Sequence, residues 1–222
     1  MRVFHAPTEP PVQGFLHEPA PAAVPTSAAL ILTHGAGTNC QSPLLVVVAE
    51  AFSAVGLTVL RCDLPFRQQR PHGPPLGTAA RDQAGLRAAV EVIRGLNSGA
   101  GSPQRIFLGG HSYGGRQATM LAAAEPGLVD ALLLLSYPLH PPRKPEQLRT
   151  QHFPQLHTPA LFVHGTRDPF GSLEEMTAAL QQIPARTRLL PVEGSGHELL
   201  TKANGGTLPG QVAEALVAFA LP

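Results

Sequence analysis

The chain has 222 residues, of which 43% are hydrophobic, 14% charged and 5% aromatic. That length fits one α/β domain spanning 1–222, and the apolar share excludes disorder of the whole chain. Sixteen Lys and Arg against 15 Asp and Glu leave a net charge of +1, too weak a field to hold nucleic acid or an anionic membrane. Cys40 and Cys62 cannot build a disulfide framework in a chain this long. The first ten residues carry one Arg and no apolar run, unlike a secretion signal. The most apolar stretch, residues 44–60, is broken by Glu50 and Gly56 and falls short of the roughly 20 residues of a membrane span. The expectation is a soluble cytoplasmic protein.

Short apolar runs alternate with longer helical patterns, as in βα units around a parallel sheet. The stretch before residue 25 is Pro-rich, and residues 13–17 read as an antiparallel edge strand. Ala28–Thr33 is a buried strand. Ser42 and Pro43 then supply a cap and a first-turn proline for a helix that Gly56 closes. The run 44–48 (LLVVV) favours strand, so this helix rests on its caps and on its place as a crossover. Residues 57–62 form the next strand, and 79–96 a helix with Leu86, Val90 and Ile93 at helical spacing. Residues 97–103 (NSGAGSP) are a loop. A strand at 105–109, a helix at 114–125 stopped by Pro126 and Gly127, and strands at 131–136 and 159–164 follow. Ser172 and Glu175 make a capping box for a helix that ends before Pro184. Thr187–Val192 is the last strand and 212–219 the last helix. The pattern gives six strands with right-handed parallel crossovers and helices on both faces.

Gly110-His111-Ser112-Tyr113-Gly114 is the one Gly-x-Ser-x-Gly in the sequence. It follows a strand directly and opens a helix, as a nucleophile elbow requires. In such an elbow the serine sits on a strained turn, and the helix N-terminus favours a developing oxyanion. The plainer alternative is a glycine-rich turn with a capping serine. A serine hydroxyl needs a base, and the base needs a group that orients it. Among ten histidines, His197 lies in a Gly-Ser-Gly loop straight after the last strand, over the C-terminal edge of the sheet. His34, His111 and His164 end strands and read as loop-ordering groups. Of the four aspartates, Asp168 follows the penultimate strand at its C-terminal end. Asp130 precedes its strand, Asp82 sits in a helix, and Asp63 is the reserve.

His34-Gly35-Ala36-Gly37 follows the first apolar strand. A loop of this kind exposes N–H groups, so Ala36, with Gly37 as the alternative, joins Tyr113 as a candidate oxyanion hole. Arg61, Arg67, Arg70 and His72 cluster after a strand whose end faces the site. They form either a subsite for an anionic acyl or leaving group, with Arg67 and Arg70 as substrate contacts, or a solvated loop. The run from His197 to Thr201 lacks the second histidine of a zincin, and no dinucleotide or phosphate loop is present. No metal and no cofactor is expected.

The order Ser112, Asp168, His197, spaced 56 and 29 residues apart, matches α/β-hydrolases and not chymotrypsin or subtilisin. From Leu30 to the C-terminus the sequence resembles the α/β-hydrolase superfamily. The Gly110 to Arg116 run, the His-Gly-Ala-Gly loop and Tyr137-Pro138-Leu139 are similar to a compact subgroup. That subgroup holds dienelactone-hydrolase-like predicted hydrolases and Tex/NSL-subunit-type proteins. The resemblance implies a Ser–His–Asp triad and hydrolysis of a small-molecule ester or thioester. Dienelactone hydrolases proper carry Cys where this chain has Ser112. Some subgroup members serve as complex subunits, so a scaffold on the same fold is the second reading. Only nineteen residues, from His140 to Thr158, stand where larger relatives insert a helical cap. No cap domain is expected.

Overall fold

The computed structural model describes residues 1–75, 77, 79–96 and 102–221. Of the loop expected at 97–103, residues 97–101 lie outside the described residues. β1 (Arg2–Ala6) and β2 (Val12–His17) form an antiparallel hairpin, and β2 lies antiparallel to β4 (Thr58–Cys62). β3 (Ala28–Thr33), β4, β5 (Arg105–His111), β6 (Ala131–Leu135), β7 (Ala160–Gly165) and β8 (Thr187–Val192) run parallel. The order across the sheet is β1-β2-β4-β3-β5-β6-β7-β8. The six parallel strands agree with the sequence pattern. The sequence suggests one antiparallel strand at the edge, whereas the structure has two. β1 gives little signal because it buries only Phe4 and leaves Val3 76% exposed.

Each central strand feeds two cores, because successive side chains point to opposite faces. Ile31, Leu108, Leu134 and Phe162 face one side, and Leu32, Phe107, Leu133 and Val163 face the other. Strands buried on both faces read as continuous apolar runs, which is why they are legible. The chain's helices are α1 (Pro43–Ala54), α2 (Pro65–Gln69), α3 (Ala79–Arg94), α4 (Tyr113–Ala124), α5 (Leu173–Leu180) and α6 (Leu208–Ala220). α3, α4 and α5 cover the first face, and α1 and α6 the second. Packing against α6 overrides the strand propensity of residues 44–48, since Leu44, Leu45, Val48 and Phe52 make one buried helical face. α6 starts four residues earlier than its apolar period suggests, at the signal given by Pro209.

Between β6 and β7 the chain forms turns and a single 3₁₀ turn, Phe153–Gln155. Phe153 and Leu156 drop into the first core beside Tyr137 and Phe162. No cap domain stands here, and the C-terminal edge of the sheet is left open.

Arg61 is 2% exposed under the N-terminal hairpin. Its Nε donates to His17 Nε2 at 2.9 Å, and its other N–H groups reach the Cys40 carbonyl and Met1 Sδ. The guanidinium lies over the Phe15 ring, 5.0 Å from its centre. Arg61 is therefore neither solvated nor turned toward a substrate, contrary to both readings of its cluster. To accept the Arg61 bond, His17 must be neutral. Burial, then the Arg61 and N-terminal charges, lower its pKa to about 4. In the unfolded chain an ordinary histidine titrates near 6.5. Between those values the unfolded chain binds the extra proton, so stability falls as pH drops from about 6.5 toward 4. The urea midpoint is expected to fall between about pH 7 and about pH 5, and to fall less in His17→Gln. The glutamine oxygen accepts from Arg61 without taking a proton. An equal fall in both proteins would contradict this role of His17.

Candidate active site

Ser112 lies between β5 and α4 with φ 50° and ψ −113°. That conformation costs an L-residue about 1–3 kcal/mol and persists only where its surroundings impose it. They do so by close approach. A Cβ on Gly110 would come within 2.9 Å of the Thr33 carbonyl oxygen, and one on Gly114 within 2.6 Å of the His34 carbonyl oxygen. The Ser112 N–H donates to Leu135 O at 2.8 Å, tying the turn to β6. The result is a serine side chain raised above the sheet edge at a helix N-terminus.

His197 comes from the loop after β8, and Asp168 from the turn after β7. His197 Nε2 lies 2.8 Å from Ser112 Oγ, while Nδ1 lies 2.8 Å from Asp168 Oδ2 and 3.0 Å from Oδ1. A carboxylate only accepts, so Nδ1 carries the proton and Nε2 faces the serine as an acceptor. The Asp168 carboxylate is fully buried. Burial pushes its pKa up, but the His197 hydrogen bond and charge, the Phe170 N–H and the His164 ring outweigh it. The carboxyl is held below its ordinary value. The Phe170 N–H reaches Asp168 Oδ1 at 2.8 Å, and the Phe170 ring lies 4.1 Å from the His197 ring centre.

The His197 loop is fastened from below. Arg167 N–H donates to Ser195 O at 2.9 Å, and a Cβ on Gly165 would strike the Ser195 carbonyl. Ser195 Oγ donates to Leu199 O at 2.8 Å, and Asn204 Nδ2 reaches both groups. Burial above all lowers the pKa of His111, which favours its neutral ring. Its Nε2 donates to the His197 carbonyl at 2.9 Å. His111 is thus a positioning residue for the loop, as the strand-end histidines suggested.

A cavity of about 400 Å³ opens over Ser112, lined by Ala36, Pro75, Tyr113, Arg116, Pro138, Arg149 and Phe170. The N–H groups of Ala36 and Tyr113 have no protein acceptor among the described residues. Ala36 lines the cavity and Gly37 does not. His34 orders this loop. Its Nε2 accepts from Leu64 N–H at 3.1 Å, and its Nδ1 donates to Gly35 O at 2.8 Å. Burial, chiefly, lowers its pKa and so favours the neutral form that this tautomer needs.

Arg67 reaches the same loop, but not as a substrate contact. Its guanidinium donates to the carbonyls of Ala36, Thr38, Arg70 and Gly73 at 2.6 to 3.1 Å. Four acceptors leave it no fork to offer an anion, so it clamps the loop. Arg70 is exposed, packs beside Gly73 and does not line the cavity. Asp63 accepts from Cys40 N–H at 2.7 Å and stands away from His197, so the reserve acid is not part of this cluster. Asp130 bonds Ile106 N–H at the opposite edge of the sheet. Sequence reasoning passes over Asp82, which holds the Tyr113 hydroxyl at 2.7 Å and the Phe66 N–H at 3.1 Å. It also passes over Arg116 and Arg149. The four-residue spacing of Arg116 from Ser112 is a usable signal; Arg149 carries none, because its position depends on how residues 140–158 fold back.

Among solved structures, the fold is similar to a dienelactone hydrolase from Anabaena variabilis. The TM-score is 0.76 at 20% identity, over 99% of this chain and 98% of that one. Est1E from Butyrivibrio proteoclasticus matches with a TM-score of 0.76 at 18% identity, covering 99% of each chain. XC6422 from Xanthomonas campestris, described as an α/β serine hydrolase without a lid, gives 0.74 at 17% identity over 100% and 95% of the two chains. At these identities the likeness speaks for the fold alone, and that fold is the α/β-hydrolase fold without a cap. A family model described as alpha/beta hydrolase domain matches residues 26–220, and the chain belongs to that family.

Proposed function

We propose that the protein is a serine hydrolase that cleaves a small carboxylic ester or thioester through an acyl-enzyme. The observation that carries the reading is the 2.8 Å approach of His197 Nε2 to Ser112 Oγ, with Asp168 on the other ring nitrogen. Ser112 Oγ attacks the carbonyl carbon while its proton passes to His197 Nε2. The carbonyl oxygen becomes an oxyanion, held by the Ala36 and Tyr113 N–H groups. Collapse breaks the bond to the alcohol or thiol, which leaves with the proton from Nε2. Water then enters, gives a proton to Nε2, attacks the acyl carbon, and Ser112 departs with that proton. Asp168 keeps the tautomer and stabilises the imidazolium in both halves.

A serine-directed fluorophosphonate should label Ser112 in the wild type and should not label Ser112→Ala, read by mass spectrometry of the intact protein. Labelling of the alanine variant to the same extent would remove Ser112 as nucleophile.

Asp168→Asn should retain the fold and lower kcat by up to about 10⁴. The asparagine oxygen still suits the Phe170 N–H, which turns its amide nitrogen toward His197 Nδ1. That ring nitrogen must then accept, and Nε2 carries the proton it should receive. An Asp63→Asn variant with the larger loss of kcat would sink the choice of acid.

A cavity of about 400 Å³ without a lid leaves the far end of a long acyl chain in solvent, and each unburied CH₂ forgoes about 0.8 kcal/mol. Acetate to butyrate esters should therefore give the highest kcat/KM, with no activation above the critical micelle concentration. A steady climb toward palmitate esters would contradict this.

A further inference from the structure

Two arginines line the cavity over Ser112, and neither meets a carboxylate. Arg116 stands one helical turn beyond Ser112 on α4, a rise of about 6 Å along the same helix face. Arg149 enters from the segment between β6 and β7. That segment is pinned in place. The Arg149 N–H donates to Leu139 O at 2.8 Å, and its carbonyl accepts the Tyr137 hydroxyl at 2.6 Å. Its guanidinium has a single long contact, to Pro138 O at 3.3 Å. Arg116 Nε is buried without a hydrogen-bond partner. Among the described residues neither arginine takes part in an ion pair, and no Asp or Glu lines the cavity.

Among the described residues no acidic group balances this charge; Arg116 has the neutral Tyr137 hydroxyl as a neighbour. His152 stands behind Arg116, its pKa lowered to about 4 by burial and then by that charge. Burial, and then Arg116, also hold Arg149 below the ordinary arginine range. Both arginines are half-buried; a guanidinium that gives up part of its water without a matching acceptor is costly, and two side by side repel. The two buried arginines are satisfied, Arg67 by four carbonyls and Arg61 by His17, Cys40 and Met1. Among the described residues Arg116 Nε has no acceptor and the Arg149 guanidinium has one long one.

We propose that Arg116 and Arg149 form a carboxylate-binding subsite, so that the ester cleaved at Ser112 carries a free carboxylate. The inference rests on the serine-hydrolase reading and adds the substrate class. A planar carboxylate accepts paired N–H bonds from guanidinium forks and balances both charges. With Arg116 one turn from Ser112, the carboxylate lies a few bonds from the scissile carbonyl. It belongs either to the acyl part or to the leaving group, and the recognition chemistry is the same.

Two matched ester pairs test this. Mono-4-nitrophenyl adipate against 4-nitrophenyl methyl adipate places the charge on the acyl side. 3-Butyryloxybenzoate against its methyl ester places it on the leaving group. The wild type should prefer the charged member of at least one pair by about tenfold or more in kcat/KM. Arg116→Gln and Arg149→Gln should each cut that ratio about tenfold. Arg116→Lys, which keeps charge and stem but loses the fork, should lower the ratio too and covers a failure of Arg116→Gln to fold. Glutarate should also slow fluorophosphonate labelling of Ser112 in the wild type and not in these variants. No charged preference in either pair, or a ratio unchanged in the variants, would overturn the subsite. So would protection by inorganic phosphate and not by glutarate. Labelling of Ser112 without charged preference defeats this inference alone, whereas absence of wild-type labelling defeats the serine-hydrolase reading with it.

Discussion

The backbone of Ser112 is the constraint on which the rest of the site depends. At φ 50° and ψ −113° it is held where a serine does not rest by itself. Its hold comes from the crowding of β5, α4 and the end of β3, and from the N–H bond to Leu135 in β6. Three features then follow without further design. Oγ stands clear of the sheet edge, Tyr113 N–H begins a helix with no acceptor behind it, and Arg116 falls one turn further along the same face. The proposed nucleophile, the proposed oxyanion donor and a cation are positioned by one strained residue. A cost of about 1–3 kcal/mol is affordable because both flanking elements are buried on the core side.

Burial also selects histidine tautomers around this turn. His34 and His111 are almost wholly buried and their pKa values are lowered, which favours rings with one donor and one acceptor. His34 spends them on Gly35 O and Leu64 N–H, which shapes the Ala36 loop. His111 spends its donor on the His197 carbonyl, which fixes the loop opposite. Charging either ring would cost the first its acceptor and put a cation beside the base. Sequence position alone suggests loop-ordering roles for these residues; the hydrogen bonds say which loops they order. Arg67 acts on the Ala36 loop from the outer side, through four carbonyls.

The central strands were legible because burial on both faces writes an unbroken apolar run, and Ala28–Thr33, buried at every position, matches its sequence assignment end to end. The edge hairpin was half legible, since β1 buries one side chain and is otherwise solvated. The Ser112, Asp168 and His197 cluster could be read because each residue follows a strand, and strand ends gather at one edge of a parallel sheet. The arginines went the other way. Arg61, Arg67 and Arg70 are close in sequence, yet His17, Met1 and the Cys40 carbonyl hold the first, four carbonyls the second, and the third is exposed. Arg116 and Arg149 are 33 residues apart and meet only because residues 140–158 fold back over α4. Proximity in sequence is a poor guide to a shared cavity when the partners lie on different elements.

The short segment between β6 and β7 bears on selectivity as well as access. A helical cap would discriminate substrates by apolar contact, at about 0.8 kcal/mol for each CH₂ it buried. Nineteen residues carrying four prolines and three Lys or Arg (Pro141, Pro142, Arg143, Lys144, Pro145, Arg149 and Pro154) cannot wrap a long chain. They can place one guanidinium. A hydrogen bond to a charged group is worth about 1.5–3 kcal/mol, the equal of roughly two to four buried methylenes. In a half-open cavity of about 400 Å³, charge is therefore the more economical means of recognition. The absence of a cap and the proposed arginine subsite are in this sense linked: where the folded-back segment builds no helical wall, it brings a positive charge to the cavity over Ser112.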